Sequence, residues 1–305
     1  MPNPLYDRKK QQAEIDAIHR MRDQSGSTNA EYDGLQYSSH NDLKKQQAEV
    51  DAIDRMLDEN RPTNVKCSEL HLHLGFSEVF LRPDANQVRD LENWVMELDD
   101  SFILRYVYRN LCPRRHLEFG TWQGQGTEYC LNECDATVWT INLLEGERRP
   151  DGTGAMYGPG MSSPLELQNW ASQNDLRDIK QTDSLGFVGW RYLAQNHGNR
   201  VCQIYCDSRT WDINNYPPDF FDSVLIDGGH TEEIVLSDTE KALRLLHSGG
   251  IIMWHDFCPK KRVYSVREST RGVIKAILRE WKSISEDMRE IFWIDPSWLL
   301  LGIKK

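Results

Sequence analysis

The stretch Arg115-His-Leu-Glu-Phe-Gly-Thr-Trp-Gln-Gly-Gln-Gly-Thr127 decides the fold. His116, Leu117 and Phe119 read as the end of a short buried strand, and the residues from Thr127 to Cys134 have helical character. Between them Gly120, Gly124 and Gly126 free the backbone to turn and to approach a ligand closely. A helix N-terminus facing such a turn binds polar or anionic groups through its free N–H groups. In an open α/β sheet, this first strand–turn–helix lies at the switch point where cofactors bind. The glycine spacing is not the GxGxxG of dinucleotide folds. Glu118 is the second distinguishing feature, because a dinucleotide site has no evident need for a carboxylate two residues before the first glycine. The plain alternative is a tight strand–helix turn with no ligand.

Further strands follow in the chain. Ala136-Thr-Val-Trp-Thr-Ile-Asn142 is a second strand, ending where an acid commonly grips ribose hydroxyls; here that residue is Asn142, whose amide can still bond a hydroxyl, with Glu145 as a substitute. Val201-Cys-Gln-Ile-Tyr-Cys206 is a third, ending in Asp207-Ser208; an Asp here can also cap the next turn. Phe221-Asp-Ser-Val-Leu-Ile-Asp-Gly-Gly-His230 is a fourth strand with its exit loop. An amphipathic helix over residues 231–246 and a Ser248-Gly-Gly turn lead to the fifth, Ile251-Ile-Met-Trp-His-Asp-Phe257. Asp227, His230, His255 and Asp256 therefore converge at the carboxyl ends of adjacent strands, the functional edge of such a sheet. These groups are costly to leave unpaired in a partly dry cleft. They suit a divalent cation, and the oxygen donors suit Mg²⁺. The plain alternatives are a turn histidine for His230 and a packed strand-end histidine for His255.

The order E-F-G-T-W-x-G, D-S, I-D-G-G-H-T, L-x-x-G-G and W-H-D-F resembles class I S-adenosylmethionine (SAM) dependent O-methyltransferases, over about residues 110–260. It is similar in particular to metal-assisted sugar methyltransferases of macrolide pathways and to cephalosporin-hydroxylase-like proteins. The resemblance implies a doubly wound, Rossmann-like sheet of about seven strands. It implies a SAM site formed by Glu118, Gly120, Thr121, Gly124, Asn142, Asp207, Ser208 and Asp227, with Glu118 holding the amino group directly or through water and Asp207 meeting the adenine. It implies Asp227, His255 and Asp256 as ligands of Mg²⁺ or a similar cation, and His230 as general base. His255 stands where relatives carry an acid. The implied reaction is methyl transfer to a hydroxyl of a small molecule or glycan. Two rival expectations stand beside it: a SAM-fold binding or interaction protein without catalysis, and a metal-dependent enzyme that does not use SAM. A helical pattern over residues 86–111, stopped by Pro113, looks like the helix that precedes the first strand in many methyltransferases. Residues 293–302 echo two closing antiparallel strands.

The ends of the chain are less informative. Residues 7–24 recur as residues 42–59, with thirteen of eighteen positions identical and an offset of 35. Both copies read as helices; in the second, Leu43, Val50, Ile53 and Leu57 form one apolar stripe, while Arg8 and Arg22 thin it in the first. The expected organisation is a helical arm over 1–60 for docking or homo-oligomerisation, a linker over 61–85 and a methyltransferase domain over 86–305. Ser68-Glu-Leu-His-Leu-His-Leu74 alternates, as a strand or a loop would, with His71 and His73 as a surface pair. Residues 143–199 form a long insertion, expected to cover SAM or the acceptor, with a helix near residues 190–196. Trp190, Trp211, Tyr216 and Trp254 suit either acceptor stacking or core packing.

A net charge of −11 argues against a broad nucleic-acid footprint or attraction to anionic membranes. No apolar run approaches the ~20 residues of a membrane span. Met1-Pro-Asn-Pro-Leu-Tyr-Asp7 lacks the apolar core of a signal peptide, so a cytoplasmic location is expected. Seven cysteines without a C-x-x-C pair point to reduced thiols rather than a disulfide framework or a zinc site.

Overall fold

The computed structural model describes residues 40–81, 96–143 and 188–305. In chain order these form α1 (His40–Glu59), β1 (Thr63–Lys66), α2 (Leu70–Leu74), α3 (Met96–Leu111), β2 (Arg115–Phe119), α4 (Gln125–Glu133), β3 (Thr137–Asn142) and α5 (Trp190–Ala194). They continue through β4 (Val201–Tyr205), β5 (Phe221–Ile226), α6 (Glu232–Leu245), β6 (Leu246–Trp254), α7 (Lys261–Tyr264), α8 (Glu268–Arg279), α9 (Trp281–Asp287), β7 (Met288–Asp295) and β8 (Leu300–Lys304).

The strands make one sheet of eight in the order β1-β7-β8-β6-β5-β2-β3-β4. The run from β6 to β4 is parallel, and β8 enters antiparallel to both β6 and β7. From β2 the chain winds outward through β3 and β4, then returns to add β5 and β6 on the other side. The crevice between the carboxyl ends of β2 and β5 is therefore the switch point. The central strands are buried on both faces, as helix-covered parallel strands are. Leu225 faces a core containing Ile103, Val107 and Cys130; its neighbours Val224 and Ile226 face one containing Val235 and Ile274. The doubly wound class is as expected, with one strand more than the expected seven or so.

The eighth strand is β1, from the segment read as a linker. It pairs parallel with β7 and buries only Val65. The stretch read as a strand or loop is instead the helix α2. Leu70 and Leu74, four apart, share its buried face, whereas Leu72 is exposed; alternation at three positions could not outweigh that i,i+4 pair. His71 and His73 accordingly do not form a pair, and His73 meets Glu290.

The second repeat copy is α1, and its stripe is buried: Val50, Ile53 and Leu57 lie in the core with α8. Each such side chain contributes roughly 1.5–3 kcal/mol. Glu49 pairs with Arg271 and Gln46 donates to the Ser265 carbonyl, so polar contacts fix its register. The first copy, residues 86–95 of the predicted long helix and residues 144–187 of the insertion lie outside the described residues. The helix expected after the insertion is α5. The two closing strands are β7 and β8.

Candidate active site

The glycine turn folds as its sequence demands. Gly120 has φ +99°, and a Cβ there would lie 2.1 Å from the Asp227 carbonyl oxygen. Only glycine lets the ends of β2 and β5 meet this closely. Asp227 N–H donates to the Phe119 carbonyl and His255 N–H to that of Ile226, so the ladder carries on past the strands and sets the residues side by side.

Glu118 is sealed beneath the turn. Its carboxylate accepts from the Thr127 and Thr140 hydroxyls, and its other oxygen abuts Gly126. Burial raises its pKa to about 7 against the opposing effect of those hydroxyls. Thr121 shares the layer, its hydroxyl 2.7 Å from that of Thr140 and accepting from Gln203. Asn142 braces the turn: its Oδ1 accepts from Trp122 N–H at 3.0 Å, and its Nδ2 donates to the Leu143 carbonyl. Asp207 accepts from the backbone and guanidinium of Arg209, opening the short turn that contains Ser208. Glu118 and Asn142 thus act on the shape of the turn, while Asp207 lies at the open edge with its side chain 31% exposed.

The other half of the edge is ionic. His230 Nε2 lies 2.8 Å from Asp256 Oδ2. His255 Nδ1 lies 3.1 Å from Asp227 Oδ1 and 3.4 Å from Asp256 Oδ2, while its Nε2 lies 3.3 Å from Asp100 Oδ2. Asp256 is held at φ +60°, a costly conformation for a non-glycine residue and one that concentrates at functional sites. Asp227, His230 and Asp256 each offer a ligand atom within 4.8 Å of the others. His255 has both nitrogens directed at carboxylates, so it stands behind that triplet rather than in it.

The electrostatics reflect these contacts. Burial pulls His230 down, but the Asp256 charge and contact, with Asp227, bring its pKa above the ordinary histidine value. Burial likewise opposes charge on His255, yet Asp227, Asp100 and Asp256 together raise it well above that value. Asp256 is held far below the usual carboxylate range: burial would raise it, but His230 and His255 outweigh that. His116, equally buried but facing only the Tyr108 and Ser223 hydroxyls, is pushed down to about 3 by burial. Carboxylate neighbours make the difference between a neutral and a cationic buried imidazole.

Two residues of the site escaped sequence reading. Asp100 did leave a signal: it sits three and four residues before Ile103 and Leu104, on the buried stripe of α3, where an acid needs a partner. Ser269, whose hydroxyl donates to Asp256 Oδ1 at 3.1 Å, left none. It reaches the site because α8 packs on the His230 loop, with Gly272 where a Cβ would lie 1.9 Å from the His230 carbonyl oxygen. The four aromatic residues singled out in the sequence belong to the core or its border. Trp190, Trp211 and Trp254 are buried, and Tyr216 packs on Trp211 and Phe221.

The profile of a family described as a methyltransferase domain matches residues 117–257, from β2 to just past Asp256. Residues 117–257 are a methyltransferase domain. The match bears out the resemblance drawn from the motif order and contains both halves of the edge. No curated protein matches the chain. Among solved structures, an O-methyltransferase from Bacillus cereus in complex with SAH is 16% identical with a TM-score of 0.43, covering 85% of this chain and 100% of that one. The SAH-bound methyltransferase PaMTH1 of Podospora anserina is 13% identical with a TM-score of 0.42, covering 89% and 98%. TomG of Streptomyces achromogenes, an O-methyltransferase involved in tomaymycin synthesis and in complex with SAM, is 12% identical with a TM-score of 0.41, covering 86% and 99%. Likenesses this distant assign no role to any residue of the methyltransferase domain. Among the described residues, no helix is long and apolar enough to cross a membrane.

Proposed function

We propose that the chain transfers the methyl group of SAM to a hydroxyl of a small molecule or glycan, assisted by a divalent cation at Asp227 and Asp256. The observation that carries this is the meeting of Asp227, His230 and Asp256 within 4.8 Å, beside the glycine turn of a methyltransferase domain. The two carboxylates, with His230 beside them, fit a Mg²⁺- or Mn²⁺-class ion, for which oxygen donors are the usual ligands. When bound, SAM supplies an electrophilic methyl group and the cation lowers the pKa of the acceptor hydroxyl.

The residues divide the remaining work. The turn from Gly120 to Gly126 presents backbone at the switch point, with Glu118 and Asn142 holding its shape. Asp227 and Asp256 bind the acceptor side. His230 would take the hydroxyl proton as the oxygen gains the methyl group and the methyl–sulfur bond breaks to leave the neutral thioether, and Asp256, 2.8 Å away, would stabilise the resulting imidazolium. Much of the rate comes from alignment, since the methyl donor is intrinsically reactive. The test is transfer of labelled methyl from SAM to a panel of hydroxylated small molecules and glycans, with Mg²⁺ or EDTA. Transfer that needs His230 and the cation supports the proposal; labelling of none of the panel, or labelling indifferent to both, contradicts it.

A further inference from the structure

We propose that Asp100, on α3, is a positioning residue for the cluster: by holding Nε2 of His255 it fixes where Asp227 and Asp256 stand. The proposal rests on the cation-and-base reading of that cluster. Asp100 is 1% exposed, and both its oxygens accept from Trp298 N–H, at 3.3 and 3.2 Å, which anchors it to the loop between β7 and β8. Its Oδ2 also lies 3.3 Å from His255 Nε2. An imidazole is rigid, so holding one nitrogen aims the other, and Nδ1 of His255 points at both site acids. Helix α3, from outside residues 117–257, thereby sets the spacing of Asp227 and Asp256 within that domain. Outer-shell partners of this kind hold ligating groups in place, and their loss typically costs about 10–100-fold in metal affinity.

The test compares wild type with Asp100→Asn, which keeps an acceptor for Trp298 N–H but puts an amide against His255. Crystal structures, Mn²⁺ affinity, SAM affinity and thermal melting are measured for each. The expected result is a folded variant with wild-type SAM affinity, a displaced His255 ring, an altered Asp227–Asp256 separation and Mn²⁺ affinity roughly tenfold lower. Adding Asp100→Asn to a His255→Asn background should cost nothing further, because the effect passes through that ring. Should the single variant fail to fold, the paired substitution against His255→Asn alone decides the matter, an additional loss of Mn²⁺ affinity being the adverse result. Unchanged ring and carboxylate positions in Asp100→Asn, or additive losses, would overturn the proposal. If the wild type takes up no Mn²⁺, the cation reading fails by itself, and the positions of His255 and the two acids still decide the role of Asp100.

Discussion

The two halves of the sheet edge bury carboxylates in opposite ways. At the glycine turn, Glu118 is bonded to neutral hydroxyls, and burial raises its pKa to about 7. A few residues away across the switch point, Asp256 is nearly as buried but faces two imidazoles and stays ionised far below the usual range. The first arrangement makes a shape, and the second stores charge. A methyl donor that carries its own positive sulfonium needs a well-formed cradle, whereas a hydroxyl that must lose a proton needs charge and a base. Substitutions at several points distinguish the two halves.

The largest effect belongs to the charged half. His230→Ala should lower kcat by roughly 10²–10⁴-fold while leaving SAM affinity unchanged. A parallel loss of SAM binding, measured by calorimetry, would erase the division between the halves. Next comes the contact that joins them. Gly120→Ala forces a Cβ into the Asp227 carbonyl at a left-handed φ and should destabilise the protein by about 1–3 kcal/mol, seen as a lower urea midpoint, with weakened SAM binding. A tolerated alanine would mean that the strand ends need not approach so closely.

Two pH effects are smaller. Because the His230 pKa lies above the ordinary histidine value, the base form gains population as pH rises through that raised value, so kcat should climb on the alkaline side of about 6.5. A profile flat across that range would remove His230 as the base. For Glu118 the sign is reversed. Its folded pKa of about 7 exceeds the ordinary 4.5, so the folded state holds the extra proton and stability falls as pH rises between those values. Glu118→Gln removes that slope. Its melting temperature relative to wild type should become more favourable from about pH 5 to about pH 8. A constant difference would show that the hydroxyls of Thr127 and Thr140 fully offset the burial.

Much of the site was legible in the sequence. The β2 turn, the β5 and β6 strand ends and the four polar residues on them could be placed because buried parallel strands are short apolar runs, and the residues just after each run must lie at the functional edge. Other features were hidden for identifiable reasons. β1 buries one residue, Val65, and an edge strand with a single buried position leaves no periodic mark. The seven residues around α2 are too few to separate a period of two from one of 3.6. Asn142 could be read only as a weakened ribose contact, because its bond to Trp122 N–H is a tertiary fact. His255 could be placed at the strand end, but that its Nε2 lies 3.3 Å from Asp100, 155 positions earlier, is a tertiary fact. The repeat shows the same limit. Sequence marks the duplication, but that Val50, Ile53 and Leu57 of the second copy pack into the core is visible only with α8 in place.

We take the glycine-turn half to hold SAM without help from the charged half. Calorimetric titration of SAM into the intact chain, once with Mg²⁺ and once with EDTA, decides this. Saturable binding of equal affinity is expected in both, with the cation needed only for transfer. No binding in either condition, or binding that appears only with Mg²⁺, would contradict it.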